Sequence, residues 1–259
     1  MKNLTICILI CALTVMACNQ STEKKSMGIT TNSETSKSLY DDALLAYEDV
    51  YLNKYVDLMN KSLAEDPDFF MANFQLAMYY LYFGNENEFT EYANKAINCK
   101  AKLSKGELLL KDALSKLLEN KTADVTDIGK KLIEEFPNDV YAYYPLITFQ
   151  GLIQDYEGEI NTLKSALEIA ERPAPIYNTL GYTYMVLKQF DQAEIAFNKY
   201  IELAPNIPNP YDSKGDYYMQ IKDYNKAYEN YMKAYEIDTT WSYNKAMNAK
   251  EIADSLANQ

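Results

Sequence analysis

The sequence predicts an all-α chain of stacked helix pairs, and three observations predict it. One residue pattern recurs with unit starts near Ser36, Phe70, Gly106, Val140, Ala174 and Pro208, spaced by 34 residues except for one interval of 36. A fixed period of this length is the mark of supersecondary units that stack on their neighbours. Within the best-formed unit, 174–207, Leu180, Gly181 and Tyr184 stand at i, i+1 and i+4, and Ala193, Ala196, Phe197 and Tyr200 at i, i+3, i+4 and i+7. Each set is an apolar stripe at helical spacing, so one unit is two amphipathic helices. Pro67, Pro137 and Pro205 fall near unit ends, where the second helix has to stop.

Taken in order, the chain opens with Met1-Lys2 and an apolar run from Leu4 to Val15, followed by Met16-Ala17-Cys18. The run is too short for a bilayer span, which takes about 20 apolar residues, and its layout is that of an export signal over residues 1–17. Val15-Met16-Ala17-Cys18 resembles the cleavage box of bacterial lipoproteins, with Met16 a mild departure. That resemblance implies cleavage before Cys18, acylation of Cys18 (palmitate and related chains), and a lipid-anchored protein of the bacterial cell envelope, at the outer membrane of a Gram-negative cell. The plainer reading is an ordinary secretory signal with an incidental cysteine. A cysteine at the very end of the apolar run favours lipidation. Residues 18–38 are rich in Ser, Thr and Lys and lack aromatics, so a flexible tether is expected there, ahead of a folded body over 39–259.

The units are expected at 36–69, 70–105, 106–139, 140–173, 174–207 and 208–241. The first keeps Leu39, Ala43, Ala46, Tyr55 and Met59, and the second Ala77, Tyr80, Gly84 and Ala96. The third is the most degenerate, with Leu109, Ala113 and Leu132 and a break near Asn120-Lys121. The fourth has Tyr143, Leu146, Tyr156 and Leu163, but Ile147 and Glu159 stand where other units have a small residue. The sixth keeps Tyr211, Gly215, Tyr218, Ala227, Tyr231 and Ala234, with Lys214 in place of Leu and Thr239 in place of Pro. The stretch 241–256 is more polar and is expected to be a capping helix with Trp241 packed beneath it.

Tyr177, Leu180, Gly181, Tyr184, Ala193, Phe197 and Pro205 together resemble the tetratricopeptide repeat signature, with Tyr where Trp is commonest. The resemblance implies a right-handed α-solenoid of about six repeats, and a protein-binding role for its concave wall. It also implies that unit positions 2, 5, 9 and 12 point into that wall. The wall residues are then Tyr141, Tyr144 and Thr148 in the fourth unit, Asn178, Tyr182 and Met185 in the fifth, and Asn209, Asp212, Asp216 and Met219 in the sixth. Met71, Phe74, Met78 and Leu81 hold these positions in the second unit. Co-chaperone members of the family grip a peptide carboxylate with lysines at such positions, and those lysines are absent here.

Chemistry is hard to place on this chain. It has no His, which removes Ser-His-Asp and Cys-His catalysis and the common zinc sites. No phosphate-cradling glycine loop or calcium loop is present. Asp41-Asp42 and Glu134-Glu135 are adjacent on helices and cannot face one another, and Asp212, Asp216 and Asp223 fit no cation loop. Cys99 reads as a small half-buried side chain. A formal charge of -12 leaves no basic patch for nucleic acid. The expectation is therefore a non-enzymatic adaptor without catalytic residues, metal or cofactor. It is anchored through Cys18 and holds a helix or extended peptide with apolar anchors and some positive charge. The alternative is a glycan- or nutrient-binding lipoprotein in which wall tyrosines stack on sugar rings.

Overall fold

The computed structural model describes residues 26–258, so the export signal and Cys18 lie outside the described residues. The described residues form thirteen α-helices in six antiparallel pairs with one helix left over. The pairs are α1 (Glu34–Glu48) with α2 (Leu52–Glu65), α3 (Phe70–Tyr82) with α4 (Glu86–Ile97), and α5 (Lys105–Glu119) with α6 (Thr126–Glu135). They continue as α7 (Tyr143–Leu152) with α8 (Tyr156–Leu167), α9 (Ala174–Val186) with α10 (Phe190–Leu203), and α11 (Asn209–Gln220) with α12 (Tyr224–Ile237). α13 (Tyr243–Ala257) closes the stack. The architecture is the α-solenoid that the 34-residue period predicts.

Local geometry repeats with the same period. Five of the six turns inside a pair pass through a residue at positive φ: Val50 (63°), Gly84 (75°), Gln154 (62°), Lys188 (59°) and Lys222 (65°). In each, the next amide reaches back to a carbonyl five residues earlier, as Gln189 N does to Tyr184 O at 2.9 Å and Tyr51 N to Ala46 O at 2.8 Å. This left-handed cap satisfies carbonyls that the helix end would leave unpaired. Four of the five positions are not Gly, and each accepts a cost of about 1 kcal/mol to keep the turn. The third pair departs: α5 ends at Glu119 and residues 120–125 form a longer loop, in which Asn120 and Asp124 side chains accept from Thr122 and Thr126.

The two helices of the fifth and sixth pairs approach at a glycine. A Cβ on Gly181 would fall inside the Phe197 ring, and one on Gly215 inside the Tyr231 ring. Phe197 is completely buried and Tyr231 nearly so. Ala193 and Ala227, four residues before each ring, are also fully buried. In the fourth pair Glu159 takes that small-residue position. It is only 7% exposed, and it accepts a hydrogen bond from Thr183 Oγ1 at 3.2 Å. Burial raises its pKa from 4.5 to about 7, with Thr183 opposing the shift. Lys214, the other departure, is buried and held by Asn198 and by Glu194 at 3.4 Å. Burial lowers its pKa against the opposing effect of Glu194.

The described end of the expected tether is not featureless. Residues 26–33 run as an extended arm over the third pair, and α1 already begins at Glu34. Met27 is 4% exposed and fills the notch at Gly106. Its amide donates to Asp139 Oδ2 at 2.8 Å, and its carbonyl accepts from Ser104 Oγ at 3.1 Å. Thr30 donates from N at 2.8 Å and from Oγ1 at 2.6 Å to the buried carboxylate of Glu107. The arm completes the most degenerate pair, and low aromatic content gave no sign of this because backbone groups make most of the bonds. Trp241, expected beneath the cap, has its ring against Tyr51 of the first pair, 5.9 Å between centroids at 85°.

Two substitutions separate close approach from helix propensity. Gly181→Ala gains up to about 1 kcal/mol of propensity but overpacks a ring with nowhere to move, at about 1–3 kcal/mol. It is expected to lower the urea midpoint, whereas Gly151→Ala, whose Cβ would meet nothing closer than 3.9 Å, raises it. For Glu159, the folded state keeps a proton between pH 4.5 and about 7 that the unfolded chain has released. Stability therefore falls as pH rises through that window. Glu159→Gln is expected to remove this slope and to stabilise the protein at pH 8 by up to roughly 3 kcal/mol, read as melting temperature at pH 5 and pH 8.

Candidate protein-binding groove

α11 carries Asp212 and Asp216 one turn apart, so both carboxylates lie on one face. Side by side they repel, and the structure answers with a cation from the last helix. Lys245 Nζ on α13 lies 2.8 Å from Asp212 Oδ2 and 2.9 Å from Asp216 Oδ1. Burial works against the ammonium, but the two carboxylates outweigh it and its pKa is raised. Tyr182 Oη on α9 donates to Asp216 Oδ2 at 2.8 Å, and Tyr231 Oη on α12 donates to Oδ1 at 2.7 Å. Burial and then Asp216 push the Tyr182 phenol far above its ordinary value, so it remains a donor. Ser242 Oγ donates to Asp212 Oδ1 at 2.5 Å.

Above this network opens a cavity of about 450 Å³. Met185 and Val186 from α9 and Met219 from α11 give it an apolar rim, and Gln220 and Asn248 add polar groups at the edge. Met185 is buried, while Val186 is 54% exposed at the mouth. Among the described residues no group of His, Cys, Asp and Glu could hold a metal. Asp223 of the acidic run is elsewhere, accepting from Lys226 N as the N-cap of α12. Cys99 is half-buried, and burial pushes its thiol up.

The structure divides the sequence-predicted wall into two regions. Tyr182, Met185 and Asp216 meet at the cavity, with Asp212 in the adjoining ion pairs. Asn178, one turn before Tyr182 on α9, is half-buried and does not line the cavity; its Oδ1 has no hydrogen-bond partner. Tyr141 and Tyr144 pack edge to face, 5.8 Å between centroids, and Thr148 Oγ1 bonds back to the Tyr144 carbonyl at 3.0 Å. These two tyrosines face the end of α1. Burial and then the nearby Glu48 carboxylate raise the phenol pKa of both. Met71, Phe74 and Met78 of the second unit are core side chains, 2–6% exposed.

The end of α1 is itself tied across the solenoid. Arg172, in the loop before α9, places Nε 3.0 Å from Glu48 Oε2 and Nη2 3.0 Å from Asp49 Oδ1. Burial raises the Glu48 pKa and Arg172 opposes it. Tyr51, two residues on, meets Trp241. Sequence reasoning missed Lys245, Tyr231 and this closure. For Lys245 the repeat gave no signal: carried into a seventh unit starting at 242, the inward register selects Tyr243, Ala246, Lys250 and Ala253 and passes over it. For Arg172 and Trp241 the signal was their scarcity: each is the one residue of its type in the chain.

Residues 174–207 and 209–240 match the protein-family model described as tetratricopeptide repeat. These segments are tetratricopeptide repeats. The chain is 31% identical over 104 residues to heat shock protein STI1 of Saccharomyces cerevisiae, an overlap of 40% of this chain and 17% of that protein. It thus spans less than a fifth of the length of that curated relative. It is also similar to a thermophilic tetratricopeptide repeat protein of Thermus thermophilus, with 17% identity, a TM-score of 0.48 and 86% and 100% of the two chains covered. PilW, a type IV pilus biogenesis factor, shows 16% identity and a TM-score of 0.48 over 82% and 96%. The repeat fold is that of a scaffold for protein–protein interaction.

Proposed function

We propose that this chain is an adaptor of the bacterial envelope, held by lipid on Cys18, which binds another protein at the α9–α11–α13 cavity. The observation that carries the binding reading is the division of labour in that cavity. Its polar floor is satisfied within the protein, and its rim of Met185, Val186 and Met219 is apolar and adaptable. Such a site takes an apolar side chain of a partner helix or extended segment, with Gln220 and Asn248 as hydrogen-bonding edges. The partner is less cationic than the bare sequence suggests, because Lys245 offsets one of the two wall carboxylates. The glycan reading gains no support here. Tyr182 and Tyr231 are tied through their hydroxyls to Asp216, and the Tyr182 ring lies edge-on to Phe197 at 5.3 Å.

The anchor reading rests on Val15-Met16-Ala17-Cys18, and the ordered arm sharpens it. Met27 is fixed to the third pair, so about nine residues separate Cys18 from the folded body. They reach at most about 30 Å when fully extended and roughly 17 Å on average as a flexible chain. A body acylated at Cys18 is thus kept close to the bilayer. Among the described residues no helix is long and apolar enough to cross a membrane.

A photo-crosslinking residue at Val186 or Met219 is expected to capture a discrete partner in membranes, while the same residue at Ile195, exposed on α10, does not. Equal capture at all three positions, or none at the cavity, overturns the groove assignment. Cys18→Ser is expected to move the protein from the membrane to the soluble fraction, and continued membrane association counts against lipidation.

A further inference from the structure

We propose that the α1–α2 turn, Glu48 to Tyr51, is a releasable latch that closes the solenoid by tying its first pair to the loops before α9 and α13. The proposal goes beyond the groove reading above by naming the contact that sets how far the solenoid opens. Its basis is a concentration of unusual residues at one place. The chain's one Arg and one Trp come from different loops, before α9 and before α13, and both contact this four-residue turn. The turn belongs to the first pair, so Trp241 joins the two ends of the stack and Arg172 ties the first pair to the junction of the fourth and fifth.

The composition of the contact is what makes it releasable. Apart from the Tyr51–Trp241 edge, it is two ion pairs of one guanidinium: Arg172 is 49% exposed, and its partners Asp49 and Glu48 are 33% and 10% exposed. Salt screens such pairs, and large apolar burial is absent from the turn itself. Each pair in a solenoid touches chiefly its neighbours, so opening needs a small change at each junction and no loss of any pair's core. Val50 holds the turn at φ 63°, a conformation a β-branched residue adopts only under constraint. That constraint presents Asp49 and Tyr51 to two different loops at once.

Trp241 reports on the latch without any label. The test measures acrylamide quenching of Trp241 and the radius of gyration by X-ray scattering in full-length protein, for wild type, Arg172→Gln and the double variant Glu48→Gln/Asp49→Asn. None of these substitutions touches the Trp241–Tyr51 contact directly. Both variants are expected to raise the quenching constant at least twofold and to enlarge the particle, with helix content unchanged by circular dichroism. Wild-type quenching and wild-type dimensions in both variants overturn the latch. Should the variants fail to fold, wild type between 50 mM and 1 M NaCl decides the matter: a rise in quenching supports the latch and constancy overturns it. The readout is intramolecular, so it separates the two readings. If the latch opens and no partner is captured at Val186, Met219 or Tyr144, the latch stands and the groove assignment falls.

Discussion

The structure depends on how closely the two helices of a pair can approach. Unit positions eight and twenty-four face this approach, and in the last two units they hold Gly181 with Phe197 and Gly215 with Tyr231, all buried. A glycine lets an aromatic ring lie flat on the helix backbone, and the ring then covers the gap that the missing side chain would leave. Removing either half of the match costs packing on both helices. Earlier units solve the same problem with other volumes: Ala43 and Met59, Ala77 and Ala93, Ile147 and Leu163, all at most 8% exposed. The sum of sizes at these two positions therefore varies from pair to pair.

From pair geometry follows the course of the stack. No pair can bury its stripe alone, so each is completed by a neighbour, and a pair with poor internal complementarity needs help from elsewhere. The third pair lacks the left-handed turn of the others and has a long connecting loop. The N-terminal arm supplies the missing contacts through Met27 against Gly106 and Thr30 against Glu107. The other end is finished differently, with α13 laid on α12 through the buried Ala246 and Ala249 and charged toward α11 through Lys245. The weak third pair is thus completed largely by backbone hydrogen bonds of the arm, and the C-terminal end by side-chain charge.

What could be read in the sequence was what repeats or is local. Apolar spacing located the helix pairs because burial and period are set within one unit, and the glycine–ring match of the fifth and sixth units is also where the family model aligns. Tyr182, Met185 and Asp216 were legible as wall residues for the same reason, since inward positions recur with the period. What could not be read was non-periodic. The arm binds largely through carbonyls and amides, which every residue has, with only Met27 and the threonine hydroxyls adding side-chain contacts. Arg172 meets Glu48 across more than a hundred residues of chain, and no local pattern encodes that meeting. Tyr141 and Tyr144 were picked out by the period alone, and the surroundings of Tyr144 also depend on Glu48, far away in the chain.

The two halves of the wall differ in kind as a result. At the α9–α11–α13 end, Asp216 receives two phenol hydrogens and the Lys245 ammonium, so its rotamer is fixed before any ligand arrives. A network satisfied in this way presents a shaped surface at little further ordering cost, which favours affinity for an apolar anchor. At the α7 end, Glu48 of the first pair lies near Tyr144, and the turn that carries it is held by Arg172 and one aromatic edge. On the binding reading proposed above, a segment confined to the first region would meet a preformed site, whereas one that had to part the turn from Arg172 would compete with an intramolecular contact at high effective concentration. The length of such a segment, more than its charge, would then discriminate between partners.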